Sequence, residues 1–283
     1  MQEQPFRHIN GYAVQFETTR RDSSGKRRKK QDMKRLLFRT IFCAAVFAVS
    51  ILSIAQNPTS LFPLDPVPYM TREAFASSRT LLPPPPAPGS VEFLVDEYYY
   101  QQSKLLRDTP RGAQAIKDAE MLDDTVFENF AEAFGCLVTK EEMPATHHLL
   151  KKAQECFGTY GCDEAKLYYN RTRPYVYYGE HSLTPWYEEG MSISPSYPSG
   201  HSANFYGLAC IMSALRPERS AELFVRADEG AYSRVIAGCH WMSDTRASRI
   251  IAMSVFSILQ TDPEYQKDFE KAKKEIARLK KQK

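Results

Sequence analysis

The chain has 283 residues, of which 43% are hydrophobic and 25% charged, and this composition excludes a fully disordered protein and a low-complexity fibre. Six cysteines are too few for a small scaffold built from disulfides. The formal net charge of +3 is unevenly spread, because residues 1–39 carry 11 Lys and Arg against 4 Asp and Glu while the remainder is net acidic. A nucleic-acid-binding domain concentrates positive charge in its folded part, so we expect no nucleic-acid partner.

Residues 1–35 show no helical or strand periodicity and include the basic run 26–30. We predict a basic, disordered tail. Met33, however, begins a segment with a short basic start followed by an apolar stretch, which are the ordinary proportions of a signal peptide. The sequence therefore favours Met33 as the true start, with residues 1–32 as a mis-assigned extension.

Residues 36–55 form the one membrane-seeking segment of the sequence. Residues 40–55 carry no charge, and 16 residues fall short of the roughly 20 needed to span a bilayer. The segment ends Ser53-Ile54-Ala55, an acceptable signal-peptidase site. We predict a signal peptide and a periplasmic enzyme. The alternative is that residues 36–55 stay uncleaved and anchor the enzyme in the inner membrane, with the enzyme on the periplasmic side. These residues would then be its only contact with the membrane.

Residues 56–90 are rich in Pro and Ser and include four consecutive prolines at 83–86. Such a run enters neither a helix nor a central strand, so it predicts extended chain. We interpret 56–90 as a linker, or as a strap laid over the surface of the domain that follows.

Residues 91–283 have helical periodicity and few alternating patterns, which predicts a single compact all-α domain. Thr139 is the expected N-cap of one helix, with Glu142 three residues on. Thr261 is the expected N-cap of the last, with Pro263 near its start. The predicted helices after the first, which begins near Val91, cover about 122–135, 141–157, 163–172, 201–215, 217–236, 245–260 and 262–280.

Lys166 and Arg173 are the first candidate anion ligands. They are seven residues apart, about two helical turns, so a continuous helix would present both on one face and end at Pro174. Two cations without nearby carboxylates can hold an oxyanion. For the pair alone, a solvated basic face is the commoner explanation.

Pro198-Ser199-Gly200-His201 precedes an apolar helix. Glycine allows close approach of the backbone to a ligand, and the first N–H groups of a helix lack internal partners, so the tetrapeptide can form an anion site. His201 could exchange a proton there near neutral pH. An ordinary turn is the alternative.

Ser233-Arg234, His240 and Asp244 form the third cluster. A His and an Asp four residues apart on a helix can hydrogen-bond, which fixes the tautomer of the ring and raises the basicity of its other nitrogen. A purely structural pair is an equally ordinary explanation.

Together the clusters read Lys-x6-Arg-Pro, Pro-Ser-Gly-His and Ser-Arg-x5-His-x3-Asp, and eleven positions in this order are not expected by chance. This string resembles the signature of the phosphatidic-acid-phosphatase/vanadium-haloperoxidase superfamily. The stretches around residues 81–86, 105–112, 173–179 and 240–244 make the chain similar, more narrowly, to the class A bacterial non-specific acid phosphatases. The resemblance covers about 200 residues from Leu81 onward.

The resemblance implies an acid phosphatase that hydrolyses phosphate monoesters of broad specificity without a metal or another cofactor. His240 would be the nucleophile and form a phosphohistidine, Asp244 would orient its ring, and His201 would be the general acid and base. Substrate phosphate would contact Lys166, Arg173, Ser199, Gly200 and Arg234.

Two other functions remain as alternatives, a vanadate-dependent haloperoxidase and a catalytically inactive phosphate-binding module. The polytopic lipid phosphatases of the superfamily are excluded, because 36–55 is the only long apolar segment. The sequence leaves open the preferred ester, a homo-oligomeric state, and whether Cys156 and Cys162 pair.

Overall fold

The computed structural model describes residues 66–75, 77–121 and 124–282. The predicted tail 1–35, the segment 36–55 and the first residues of the predicted linker lie outside these ranges. The described part contains helices and no strand, so the all-α prediction is confirmed. The α-helices are α1 (Ser78–Leu81), α2 (Val91–Lys104), α3 (Pro110–Lys117), α4 (Thr125–Phe134), α5 (Pro144–Glu155), α6 (Asp163–Tyr169), α7 (Pro174–Tyr178), α8 (Glu188–Ser192), α9 (Gly200–Leu215), α10 (Ser220–Ile236), α11 (Met242–Leu259) and α12 (Pro263–Gln282).

Helix α9 is the centre of the domain. Apolar residues occur on all of its faces, which is typical of a helix surrounded by other helices. It packs against α5, α10, α11 and a π-helical turn, Cys156–Tyr160. Phe205, Leu208 and Ile211 are fully buried within the main core. Because α9 begins at Gly200, its burial holds the Pro-Ser-Gly-His segment in a fixed position.

Residues 66–90 carry side chains that belong to this core. Tyr69, Met70, Phe75 and Leu82 are buried among the apolar residues of the domain. The Tyr197 hydroxyl donates to the carbonyl oxygen of Pro83 at 2.7 Å. The folded part of the chain therefore begins N-terminal to residue 91, the boundary expected from composition.

Helix starts differ from the sequence prediction at two caps. The backbone N–H of Tyr265 donates to Oδ1 of Asp262 at 2.7 Å, so Asp262, not Thr261, caps the last helix. Thr139 does accept from the N–H of Glu142, but α5 begins only at Pro144. The Thr261 hydroxyl donates to the carbonyl oxygen of Ile258 instead, and the first N–H groups of α5 donate to the carboxylate of Glu275 on the last helix.

The five described cysteines are free thiols, so Cys156 and Cys162 do not pair with each other. Burial raises the pKa of Cys156 to about 11 and that of Cys162 to about 12. Among the residues described, no helix is long and apolar enough to cross a bilayer.

Candidate active site

The side chains of Lys166 and Arg173 lie close together, but the chain between them is not the continuous helix that the sequence predicted. Helix α6 ends at Tyr169, and Asn170 adopts a left-handed conformation with φ of 42°. Pro174 begins the next helix instead of ending this one. The prediction of one continuous helical face was therefore wrong. The two side chains still meet, because Lys166 Nζ and Arg173 Nη2 both reach the carbonyl oxygen of Pro195, at 2.8 and 3.4 Å.

Arg173 is buried, and each of its nitrogens has partners. Nε donates to the carbonyl oxygens of Met191 and Ser194, both at 2.8 Å. Nη1 donates to the carbonyl oxygen of Cys239 and lies 3.0 Å from Nε2 of His240. The guanidinium thus ties the loop before α9 to the loop that carries His240.

The start of α9 is shaped by two close contacts. A Cβ on Gly200 would lie 2.6 Å from the carbonyl oxygen of Gly158, so glycine is required there for packing against the π-helical turn. Ser199 is the N-cap, and its Oγ accepts from the N–H and the hydroxyl of Ser202. Since Oγ is the acceptor in both bonds, the Ser199 hydroxyl keeps its hydrogen for another partner.

His240 lies in the loop between α10 and α11, not on a helix. Gly238, at φ 80°, turns the chain back so that the N–H of His240 donates to the carbonyl oxygen of Arg234 at 3.2 Å. This turn places the imidazole beside the Arg234 side chain. Trp241, next in sequence, packs against Phe93 and Tyr100 and anchors the loop.

The His240 ring is fixed from both nitrogens. Nδ1 lies 2.8 Å from the carbonyl oxygen of Ser196 and 3.4 Å from Oδ2 of Asp244. A carbonyl only accepts, so Nδ1 carries the hydrogen and Nε2 is left with a lone pair that faces Arg173 Nη1. The carbonyl of Ser196, which sequence reasoning missed, is nearer to Nδ1 than the predicted Asp244.

Asp244 belongs mainly to a buried ion network. Its Oδ1 accepts from Arg171 Nη1 at 2.6 Å and its Oδ2 from the N–H of Trp241 at 2.8 Å. Arg171 Nη2 also bonds Asp96 at 2.7 Å, and Asp96 accepts from Ser243. Arg171 thus offsets the charge of the carboxylate nearest to His240.

His201 lies in the first turn of α9, beside the turn that follows α3. Its Nε2 lies 3.2 Å from the carbonyl oxygen of Ala119. Burial, then Arg234 and His240, lower the pKa of His201 well below its usual value. Arg234 and His240 therefore lie close enough to His201 to influence its protonation.

Three cations dominate the electrostatics of this site. Burial, then Arg173, lower the pKa of Lys166 to about 8. Burial, then Arg173, Lys166 and Arg234, lower the pKa of His240 well below its usual value. Both histidines are therefore neutral near pH 7, and the site carries excess positive charge that an anion would complement.

Arg234 carries the clearest sign of an anion-binding site. Its side chain is 1% exposed, yet Nε and Nη1 have no hydrogen-bond partner. Buried guanidinium donors are normally paired, because an unpaired one costs roughly 1–3 kcal/mol. Two such donors beside the imidazoles of His201 and His240 therefore point to an oxyanion site.

The structure brings together the three sequence clusters predicted to form the site, by way of the contacts and electrostatic couplings given above. Sequence reasoning missed Asp96, Arg171, Ser196 and Ala119, and only Arg171 had a signal, its position inside the Lys-x6-Arg motif. Within the described ranges, no group of three or more His, Cys, Asp or Glu side chains has the arrangement of a metal site.

Comparison with known proteins agrees with this geometry. The PAP2 superfamily model matches residues 155–267, which include the three clusters. The chain is 39% identical over 250 residues to a non-specific acid phosphatase of Providencia stuartii, covering 88% of this chain and all of the relative. It is 35% identical to a non-specific acid phosphatase of Salmonella typhi over 209 residues, 74% of this chain and 84% of the relative. An acid phosphatase of Zymomonas mobilis is 31% identical over 196 residues, 69% of this chain and 74% of the relative.

The chain belongs to the PAP2 superfamily and, within it, to the class A bacterial acid phosphatases. The resemblance found in the sequence is thereby confirmed.

Proposed function

We propose that this protein hydrolyses phosphate monoesters of broad specificity through a phosphohistidine on Nε2 of His240, with no metal ion. The observation that carries the proposal is the pair of unpartnered, buried donors of Arg234 beside two neutral histidines. The names of the relatives support the same class of substrate.

The substrate phosphate lies among Lys166, Arg173, Arg234 and the start of α9. Nε and Nη1 of Arg234 gain acceptors, and so does the Ser199 hydroxyl hydrogen. The Gly200 N–H, at the first turn of α9, donates to another oxygen. Phosphoryl transfer requires mainly positioning and neutralisation of the equatorial oxygens, and these side chains supply both.

In the first step, the Nε2 lone pair of His240 attacks phosphorus and the bond from phosphorus to the ester oxygen breaks. Arg173 Nη1, which faces Nε2 at 3.0 Å, shifts its hydrogen bond to a phosphoryl oxygen. The imidazolium that forms is stabilised by the Ser196 carbonyl and by Asp244 at Nδ1. His201 gives its proton to the leaving alkoxide.

In the second step, neutral His201 takes a proton from water, and the resulting hydroxide attacks phosphorus. The Nε2–phosphorus bond breaks, inorganic phosphate leaves and His240 is regenerated. Because burial and then the neighbouring cations lower the pKa of His201, its protonated form is most abundant at acid pH and when the phosphate anion offsets the charge of those cations. We therefore expect an optimum on the acid side of neutrality.

The test is turnover of p-nitrophenyl phosphate after exhaustive dialysis against EDTA. We expect full activity, inhibition by vanadate, and no oxidation of bromide by peroxide in the presence of vanadate. His240→Ala should lower kcat at least about 10³-fold, since loss of a nucleophile or its base commonly costs more than this. His148→Ala, a half-exposed histidine paired with Asp268 outside the site, is the matched control and should keep its activity.

Three results would count against the proposal. Loss of activity on chelation with recovery in Mg²⁺ or Zn²⁺ contradicts the metal-free step. Bromide oxidation without ester hydrolysis indicates a haloperoxidase. Unchanged turnover in His240→Ala contradicts the assigned nucleophile.

We also propose that the enzyme acts in the periplasm. The support is in the sequence: Met33 begins a basic and apolar segment that ends at a signal-peptidase site after Ala55.

A further inference from the structure

The turn after α3 connects three parts of the domain through three consecutive residues. Asp118 bonds to α10, the Ala119 carbonyl faces His201 at the start of α9, and Glu120 accepts from the Tyr187 hydroxyl at 2.8 Å. Asp118 and Ala119 are both buried. A displacement of this turn would therefore change the contact between the Ala119 carbonyl and His201.

Asp118 is the anchor of the turn. Its carboxylate is fully buried, and Oδ2 accepts from the Ser233 hydroxyl at 2.5 Å. Oδ1 accepts from Gln114 Nε2 at 2.9 Å and from Arg226 Nη2. Charge-assisted bonds of this kind are about twice as strong as neutral ones, so the carboxylate fixes the position of the turn.

Ser233 belongs to the Ser-Arg motif, but its hydroxyl does not take part in the anion site described above. Besides bonding Asp118, it accepts from Arg111 Nη1 at 2.9 Å. The next residue, Arg234, carries the two unpartnered, buried donors described above. The motif thus joins an anion ligand to a residue that holds the turn beneath His201.

The Ala119 carbonyl decides which nitrogen of His201 exchanges a proton. A carbonyl oxygen only accepts, so the Nε2 that faces it at 3.2 Å carries a hydrogen in both charge states of the ring. The nitrogen that gains and loses a proton is then Nδ1. Rotation of the ring away from Ala119 would remove this preference.

We propose that Asp118 is a positioning residue for proton transfer by His201. Held by Ser233 and Arg226, it fixes the Ala119 carbonyl, which orients Nδ1 of His201 toward the leaving oxygen. Nδ1–H gives its proton to the alkoxide and then takes one from water. This inference rests on the proposed function.

The test compares an ester that needs a proton donor with one that does not. Ethyl phosphate has a poor leaving group, whereas nitrophenolate leaves almost unaided. The ratio of kcat/KM for ethyl phosphate to kcat/KM for p-nitrophenyl phosphate isolates proton donation, because kcat/KM covers only the steps through departure of the alcohol. General-acid catalysis is worth about 10²–10⁴-fold, so poor positioning should lower this ratio about 10-fold or more.

Asp118→Asn is the principal variant, because it removes the negative charge that holds Arg226 and, where its amide nitrogen faces Ser233, replaces an acceptor of the Ser233 hydroxyl by a donor. Ser233→Ala removes one anchor without adding a misplaced group, and should lower the ratio in the same direction by less. Asp268→Asn is the matched control, since Asp268 is also a buried, hydrogen-bonded aspartate but contacts Tyr69 and Lys271 instead. Its ratio should equal that of the wild type.

Equal losses for the two esters in Asp118→Asn and Ser233→Ala, or an unchanged ratio in both, would overturn the inference. A lowered ratio in Asp268→Asn would overturn it as well, because general loosening of the domain would then explain the effect. If Asp118→Asn does not fold, the ratio in Ser233→Ala decides. Failure of the proposed function is distinguishable, because the wild-type protein would then hydrolyse neither ester.

Discussion

Replacing Arg234 by an apolar residue should make the anion-free protein more stable while lowering its activity, because two buried donors of Arg234 have no partner. In Arg234→Met, an apolar side chain of comparable length replaces a 1% exposed guanidinium in which Nε and Nη1 have no partners. The substitution also removes one of three neighbouring cations. We expect kcat for p-nitrophenyl phosphate to fall about 10²–10³-fold, as when one donor to a developing oxyanion is lost.

The expected gain in stability follows from the same contacts. Each unsatisfied buried donor costs roughly 1–3 kcal/mol of stability, and this cost disappears with the guanidinium. Imperfect packing of the new side chain reduces the gain by about 1 kcal/mol. The free energy of unfolding should therefore rise by about 2 kcal/mol, or about 5 °C in Tm for a domain of this size. Urea unfolding in phosphate-free buffer measures this change.

Added anion should stabilise the wild type much more than Arg234→Met. Phosphate at about 100 times its Kd stabilises a binding protein by about 2.7 kcal/mol, so the wild type should gain this amount and Arg234→Met far less. Arg171→Met is the control: Arg171 pairs with Asp96 and Asp244, and its loss leaves two buried carboxylates uncompensated. That variant should lose roughly 3–5 kcal/mol. If Arg234→Met is destabilised as much as Arg171→Met in the absence of anion, the reasoning is refuted.

Three further predictions concern pH and export. Because the pKa values of His201 and His240 are lowered in the folded protein, unfolding takes up protons below about pH 6.5. The free energy of unfolding without anion should therefore fall with decreasing pH, by about 1.4 kcal/mol per pH unit for each histidine. Urea midpoints from pH 5 to 7 should show a shallower slope in His201→Ala, and an equal slope would contradict this. Lys166, with a pKa of about 8, loses its charge in alkali, so kcat/KM should decline more steeply above pH 8. In Lys166→Arg the pH at which this decline begins should be higher. If that pH is unchanged, the decline belongs to another group. A chain started at Met33 should be exported and fully active, with mass spectrometry locating the mature N-terminus near Gln56; residues 1–32 on membrane-bound enzyme would contradict both the late start and cleavage.

Local signals predicted much of the helical framework. The apolar run after His201 predicted a helix over 201–215, and the structure has α9 at Gly200–Leu215. Motif order also predicted which polar residues would meet. Local rules failed for Lys166 and Arg173, because the left-handed Asn170 ends the helix between them. The side chains meet through the shared carbonyl of Pro195, about 25 residues further along the chain.

The missed residues act through contacts that leave no periodic signal. Asp96 and Asp244 lie on different helices and both bond Arg171, so this ion network follows from tertiary packing. The Ser196 and Ala119 carbonyls that face the two histidines are backbone groups, so the residue type at these positions does not predict the contacts. The Pro-rich composition of 66–90 predicted extended chain but not the burial of Tyr69 and Leu82, which depends on the core that they cover.

The central claim is that His240 becomes covalently phosphorylated during turnover, and the most direct measurement is mass spectrometry of enzyme quenched in alkali, where phosphohistidine survives. With His201→Ala and p-nitrophenyl phosphate, the phosphoenzyme should accumulate, because its hydrolysis lacks a base. The phosphoryl group is predicted on the peptide that contains His240, and His240→Ala should show none. A phosphoryl group on any other residue, or labelling that persists in His240→Ala, would contradict the mechanism.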